Sequence, residues 1–181
     1  NSVSTSSVQT ILASPANKTI AVASSPICSG NSTNITVSSS EIGVSYQLRN
    51  GTTAVGTPVS GTGGNINLPT GNLTATTTFN VLASSCGNST QMTGTATVSI
   101  NPLPTASNAG ADQNGNGVFT LAANTPSAGT GAWTIVSGPS TSLSQFNNTS
   151  SATATFTPFG TGSYTLRWTV TNSCGTSTDD V

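Results

Sequence analysis

Histidine is absent from these 181 residues, methionine occurs once, and only seven side chains carry charge. Lys18, Arg49 and Arg167 stand against Glu41, Asp112, Asp179 and Asp180, for a net charge of −1. Nucleic acid is therefore no partner, because binding phosphates needs clustered lysine and arginine. No run reaches the roughly 20 apolar residues of a membrane-spanning helix. General acid–base chemistry needs a histidine or carboxylates held in perturbing surroundings. Here the four acids are scattered along the chain, with only Asp179 and Asp180 adjacent. A serine without a base is only a hydroxyl, and no glycine-rich phosphate loop is present. Calcium needs several oxygen ligands, of which Asp112 supplies one at most. No catalytic, cofactor-binding or metal-ligating residue is expected, and the chain is read as no enzyme.

Ser and Thr make up about a third of the chain, with Gly, Asn and Ala supplying much of the rest. Low charge is common in disordered segments, but those lack strand formers. This chain has them, in alternation. In Gly162–Asn172, Tyr164, Leu166, Trp168 and Val170 fall on one face and Thr165, Arg167, Thr169 and Thr171 on the other. Period two with bulky or β-branched residues marks a half-buried antiparallel strand. A weaker copy runs over Thr77–Ala83, and both are followed by Cys-Gly, at Cys86 and Cys174, 88 positions apart. The recurrence, with no helical period anywhere, predicts an all-β tandem of two-sheet antiparallel sandwiches.

Along the chain, residues 1–22 read as the last strand of a preceding repeat plus a linker, with a frayed tail as the alternative. Val8–Pro15 parallels Thr95–Pro102, and neither a basic start nor an apolar block marks residues 1–20 as a signal peptide. Residues 23–102 form the first unit, with strands expected over 34–38, 44–49, 54–55, 65–68, 77–83 and 93–100. Its inward set is Ile35, Val37, Val44, Tyr46, Leu48, Ile66, Leu68, Phe79, Val81, Val98 and Ile100, and Asn50-Gly51 marks a two-residue hairpin turn. Asn101-Pro102-Leu103-Pro104 is an extended linker. Residues 103–181 form the second unit, with strands over 119–123, 131–136, 152–157, 162–172 and a last one cut short at 178–181. Trp133 and Trp168 are expected in its core, on strands that face each other.

Cys28 precedes the second strand of the first unit and Cys86 follows the penultimate one. A Cys28–Cys86 bridge would enclose 57 residues and stabilise by about 4 kcal/mol through chain entropy. Two free buried thiols or half a metal site are the alternatives, and the lack of histidine and of C-x-x-C spacing counts against the metal. Eight N-x-S/T sequons, from Asn17 to Asn148, follow from the abundance of Asn and Thr.

Ala109-Gly110-Ala111-Asp112-Gln113, Gly131-Ala132-Trp133 and Gly162–Asn172 resemble the PKD/Ig-like repeats of giant surface proteins. Together with Cys28-Ser29-Gly30-Asn31-Ser32 and Val44–Arg49, the pattern is similar to tandem repeats in long secreted adhesins of gliding Bacteroidota. The resemblance implies tandem Ig-like or PKD-like sandwiches. Such repeats carry a cysteine soon after the Gly-Ala-Asp-Gln segment; here Asn114-Gly115-Asn116-Gly117 stands instead, so Cys174 is expected to be unpaired or an inter-repeat thiol.

Two readings of function follow. The first is a structural and adhesive segment of a long extracellular or outer-membrane-associated fibre, acting as spacer and weak multivalent adhesin. Its partners would be neighbouring repeats or like chains, with strand complementation at the ends, and surface polysaccharide. The second is an accessory carbohydrate-binding or spacer module of a secreted hydrolase. Most of the nine aromatics fit inward positions, whereas a sugar platform needs two or three exposed and coplanar, which favours the first.

Overall fold

Alternating burial organises both halves of the chain. The computed structural model describes residues 13–181, and the chain divides into units Asn1–Ile100 and Asn101–Val181. Nearly all of the closing strand expected over Val8–Ala13 lies outside the described residues.

The first unit contains β1 (Ile20–Val22), β2 (Ile27–Cys28), β3 (Asn34–Val37), β4 (Ser45–Asn50), β5 (Thr53–Ser60), β6 (Ile66–Pro69), β7 (Thr77–Ser85), β8 (Asn88–Gln91), β9 (Ala96–Val98) and β10 (Ile100–Asn101). One sheet has the order β1-β3-β6; the other runs β5-β4-β7-β8, with β9 also pairing β7, and β2 pairs β10. On β4, Tyr46 and Leu48 are buried, and on β7 Phe79, Val81 and Ala83. They close on Ile35, Val37, Ile66 and Leu68 of the other sheet to form one core. The expected inward residues are all buried except Ile100, which packs partly exposed at the margin.

Four local expectations shift. Ile20–Val22, read as part of the segment ahead of the unit, is β1 and pairs with Val37–Ile35 of β3. The strand expected over 93–100 is split: β8 pairs the hairpin end of β7 and β9 its opposite end, with buried Met92 between them. β5 reaches Ser60, and Gly56 at φ +63 together with Pro58 roughens this edge strand against further pairing. The hairpin turn is one residue later than Asn50-Gly51, because Asn50 still pairs with Thr53. Positive φ falls on Gly51 alone, where glycine has no steric cost.

The second unit contains β11 (Phe119–Thr120), β12 (Thr130–Ser137), a 3-10 turn at Leu143–Gln145, β13 (Thr155–Phe156), β14 (Thr165–Asn172) and β15 (Gly175–Asp180). Its main sheet is β12-β14-β15, and β11 pairs β13. Trp133 and Trp168 do not face each other across the sandwich: they are direct neighbours in adjacent strands of one sheet, with ring centroids 5.2 Å apart. Phe146, Phe156 and Tyr164 continue a row of ring contacts at 5.1–6.3 Å. Gly131 is required beside it, since a Cβ there would overlap the Trp168 indole.

The last strand begins at Gly175, three residues before the expected Thr178. β15 pairs with β14 from Gly175↔Asn172 to Asp180↔Arg167, and Val181 and Leu166 exchange two further backbone bonds. On the outer side of β15, Ser107 N–H donates to Ser177 Oγ and Ala109 N–H to Asp179 Oδ2. Arg167 clamps the end of β15 by donating from Nε and Nη2 to the two Asp180 oxygens at 2.7 and 2.8 Å.

The cysteine expectation is corrected. Cys28 and Cys174 are disulfide-bonded, and Cys86 is the free, exposed thiol. Cys86 sits exposed at φ +46 in the tight turn between β7 and β8, outside the core of its unit. Cys174 is accordingly not unpaired, the first of the two states expected for it.

Three outcomes are expected. Without reductant, alkylation labels Cys86 alone, and the Cys28 and Cys174 peptides are labelled only after reduction; Cys28→Ala and Cys174→Ala each lower the thermal midpoint, and Cys86→Ala leaves it nearly unchanged. Gly131→Ala destabilises the second unit by about 1–3 kcal/mol in denaturant unfolding, through overpacking against Trp168. Below about pH 4 the unfolding midpoint falls. Hydrogen bonds from Arg167 hold the Asp180 carboxyl below its ordinary value, and one from Lys18 does the same for Glu41. A carboxyl lowered on folding contributes stability above its unfolded pKa and loses it as pH falls through the folded one. Glu41→Gln with Asp180→Asn should flatten that acid limb.

Candidate functional site

One end of the second unit opens into a cleft of 820 Å³, walled by residues 112–117 on one side and 157–163 on the other, with Phe119, Phe156 and Tyr164 at its base and Asp180 and Val181 at its margin. Its walls come from loops because the sequence supplies no strand there. Asn114-Gly115-Asn116-Gly117 breaks any alternation, with Gly115 and Gly117 both at positive φ, and Pro158 with Gly160 and Gly162 does the same opposite.

Both walls are anchored by glutamines. Gln113 Nε2 donates to Thr120 O at 2.9 Å, tying the first wall to β11. Gln145 is only 2% exposed, which is uncommon for a glutamine and requires that its amide be satisfied. Its Nε2 donates to the carbonyls of Ser140 and Ser142, each at 3.0 Å. Its Oε1 accepts from Phe159 N–H at 2.8 Å, and its backbone carbonyl from Thr157 N–H at 2.8 Å. The loop is thereby held at two points, yet the Phe159 ring it carries is 61% exposed. The Tyr164 hydroxyl, on a residue lining the same cleft, is buried with no hydrogen-bond partner.

The electrostatics are one-sided. Asp112 and Asp180 are the only charged residues lining the cleft, and no cation does; Asp180 is neutralised by Arg167 outside it. Among the described residues no three of His, Cys, Asp and Glu come together as a metal site would need. Asp112, the one carboxylate considered for calcium, stands instead on the wall of a cleft lined by carboxamides, hydroxyls and aromatic rings. The arrangement can offer hydrogen bonds and an apolar face; it holds no nucleophile paired with a base.

Sequence reasoning placed no function here. Phe159 lies between two strand patterns, and Gln145 belongs to none. Phe146, on the same turn, was also missed as a core ring. The visible signal was an aromatic stranded in a Thr-Pro-Phe-Gly-Thr-Gly loop, a position that neither strand alternation nor core packing accounts for.

No family model matches the chain, and no curated protein sequence does either. Among solved structures, the three-domain I67–I69 fragment of the titin I-band superposes with a TM-score of 0.54 at 10% identity, over 90% of this chain and 62% of that one. A Glu-to-Ala variant of the same three Ig domains gives 0.55 at 10% identity, over 93% and 65%. The chain thus spans less than two thirds of these neighbours. At this identity the likeness establishes the fold: tandem Ig-like β-sandwich domains.

Proposed function

We propose that this chain is a structural and adhesive repeat segment of a long extracellular or cell-surface fibre, of the kind found in giant adhesins of gliding Bacteroidota. The observation that carries the proposal is the pairing of two separately cored Ig-like units with an oxidised Cys28 and Cys174. Disulfides persist outside the reducing cytosol. Each unit is a rigid sandwich, and its surface is rich in hydroxyls and amides with few charges. That surface suits a spacer, and it suits weak contacts that many copies add into avidity. Neighbouring units or like chains and surface polysaccharide are the partners this reading assigns. An accessory module of a secreted hydrolase would share the fold and would differ in what it is fused to.

A spacer that must carry load has a testable mechanical signature. Cys28 and Cys174 are both oxidised, and a disulfide takes the residues it encloses out of the force path when a chain is pulled by its ends. In single-molecule force spectroscopy the oxidised chain should therefore extend by less than its full contour length. Adding reductant should release further length, at roughly 3.3–3.6 Å for each residue freed. Full extension without reductant would overturn the load-bearing reading.

A further inference from the structure

We propose that the cleft of the second unit is a weak, single-ring subsite for a neutral sugar, narrower than a multi-aromatic platform, with a ring face on Phe159 and hydroxyls bonded to Asp112 and the amides of Asn114 and Asn116. The proposal rests on the adhesive reading and gives it a place and a ligand class. Three observations carry it.

The first is the cost of the exposed ring. Phe159 keeps 61% of its surface in water, yet its backbone N–H is held by the side chain of a buried glutamine. A loop serving only as a connector needs neither the ring nor the anchor. A loop backbone fixed before the ligand arrives lowers the ordering entropy lost when the C–H face of a pyranose stacks on the ring it carries.

The second is charge. The lining holds two carboxylates and no lysine or arginine. Acidic sugars, phosphates and sulfates are repelled, and Asp180, already bonded twice by Arg167, has little left to offer a cation. Asp112 and the carboxamides remain, as acceptors and donors suited to uncharged hydroxyls.

The third is fit. At 820 Å³ the cleft lies within the roughly 300–1,000 Å³ of small-molecule sites. Tyr164 also lines the cleft and its buried hydroxyl has no partner, and a buried polar group without one is costly unless a ligand or water supplies it.

The test is a titration of the isotope-labelled whole chain, followed by amide NMR, with soluble neutral oligomers of glucose, mannose, galactose and N-acetylglucosamine. A uronic acid oligomer and an extended apolar peptide serve as comparison ligands. Saturable shifts confined to residues 112–117 and 157–164, from at least one neutral oligomer, are expected. Phe159→Ala and Asp112→Asn should each weaken that binding about tenfold, equivalent to about 1.4 kcal/mol, with the thermal midpoint unchanged. No saturable shift from any neutral oligomer, shifts elsewhere, or equal response to the acidic oligomer overturns the proposal. Saturation by the peptide alone also overturns it and marks the cleft as a strand-docking slot. Bead arrays of the chain separate the two readings: arrays that still adhere when the cleft binds no sugar keep the adhesive reading and sink this one. Arrays that fail to adhere while the cleft binds sugar do the reverse.

Discussion

Burial at every second residue of paired central strands is the constraint from which the rest of the molecule follows. β4 and β7 in the first unit, and β12 and β14 in the second, place their apolar side chains on one face along antiparallel ladders. With so few charges, ion pairs cannot carry stability, and exposed ones contribute little in any case. What remains is apolar area removed from water, backbone ladders, and hydroxyl and amide side chains that satisfy the loops. The Arg167–Asp180 and Lys18–Glu41 pairs act locally, the one fastening the end of β15 and the other holding Lys18 to Glu41.

The two units solve the same problem with different material. The first fills its core with aliphatic residues and two rings, Tyr46 and Phe79, and the Tyr46 hydroxyl reaches back to accept from Glu41 N–H. The second has fewer strands and replaces aliphatic layers with a row of aromatic contacts from Trp168 to Tyr164. Large flat rings tolerate little rearrangement, so this unit depends on small residues beside them, Gly131 above all. The same row ends at the cleft, where Tyr164 and Phe156 pass from core to wall. Core packing and candidate site are continuous, and the exposed Phe159 stands just beyond the point where the row meets water.

Ig-like sandwiches carry their variable chemistry on loops at the ends of a rigid scaffold. Here the loops are short of charge and rich in Gly, Asn, Ser and Thr, and two glutamines hold them. That combination yields a fixed surface with neutral hydrogen-bonding groups, which fits a spacer that also makes weak contacts. An oxidised cysteine pair adds a covalent restraint that noncovalent packing in such small cores cannot match in persistence.

Strand alternation settled much of this in advance. Tyr164, Leu166, Trp168 and Val170 had to share a face, and the all-β class and nearly the whole inward set followed, because period-two burial is a local property of sequence. What alternation could not settle were matters of spatial neighbourhood. Whether Trp133 and Trp168 lie beside or opposite each other depends on sheet order. Whether the turn falls at Asn50-Gly51 or one residue on depends on register with β5. The state of Cys28, Cys86 and Cys174 depends on which side chains the folded chain turns outward, and the repeated Cys-Gly pattern gave no sign that Cys86 would stay free while Cys174 is oxidised. Gln145 and Phe159 belong to no pattern at all. Their roles arise only when residues from 112–117, 140–146 and 157–164 converge at one end of the sandwich, a convergence that is encoded in no single stretch of chain.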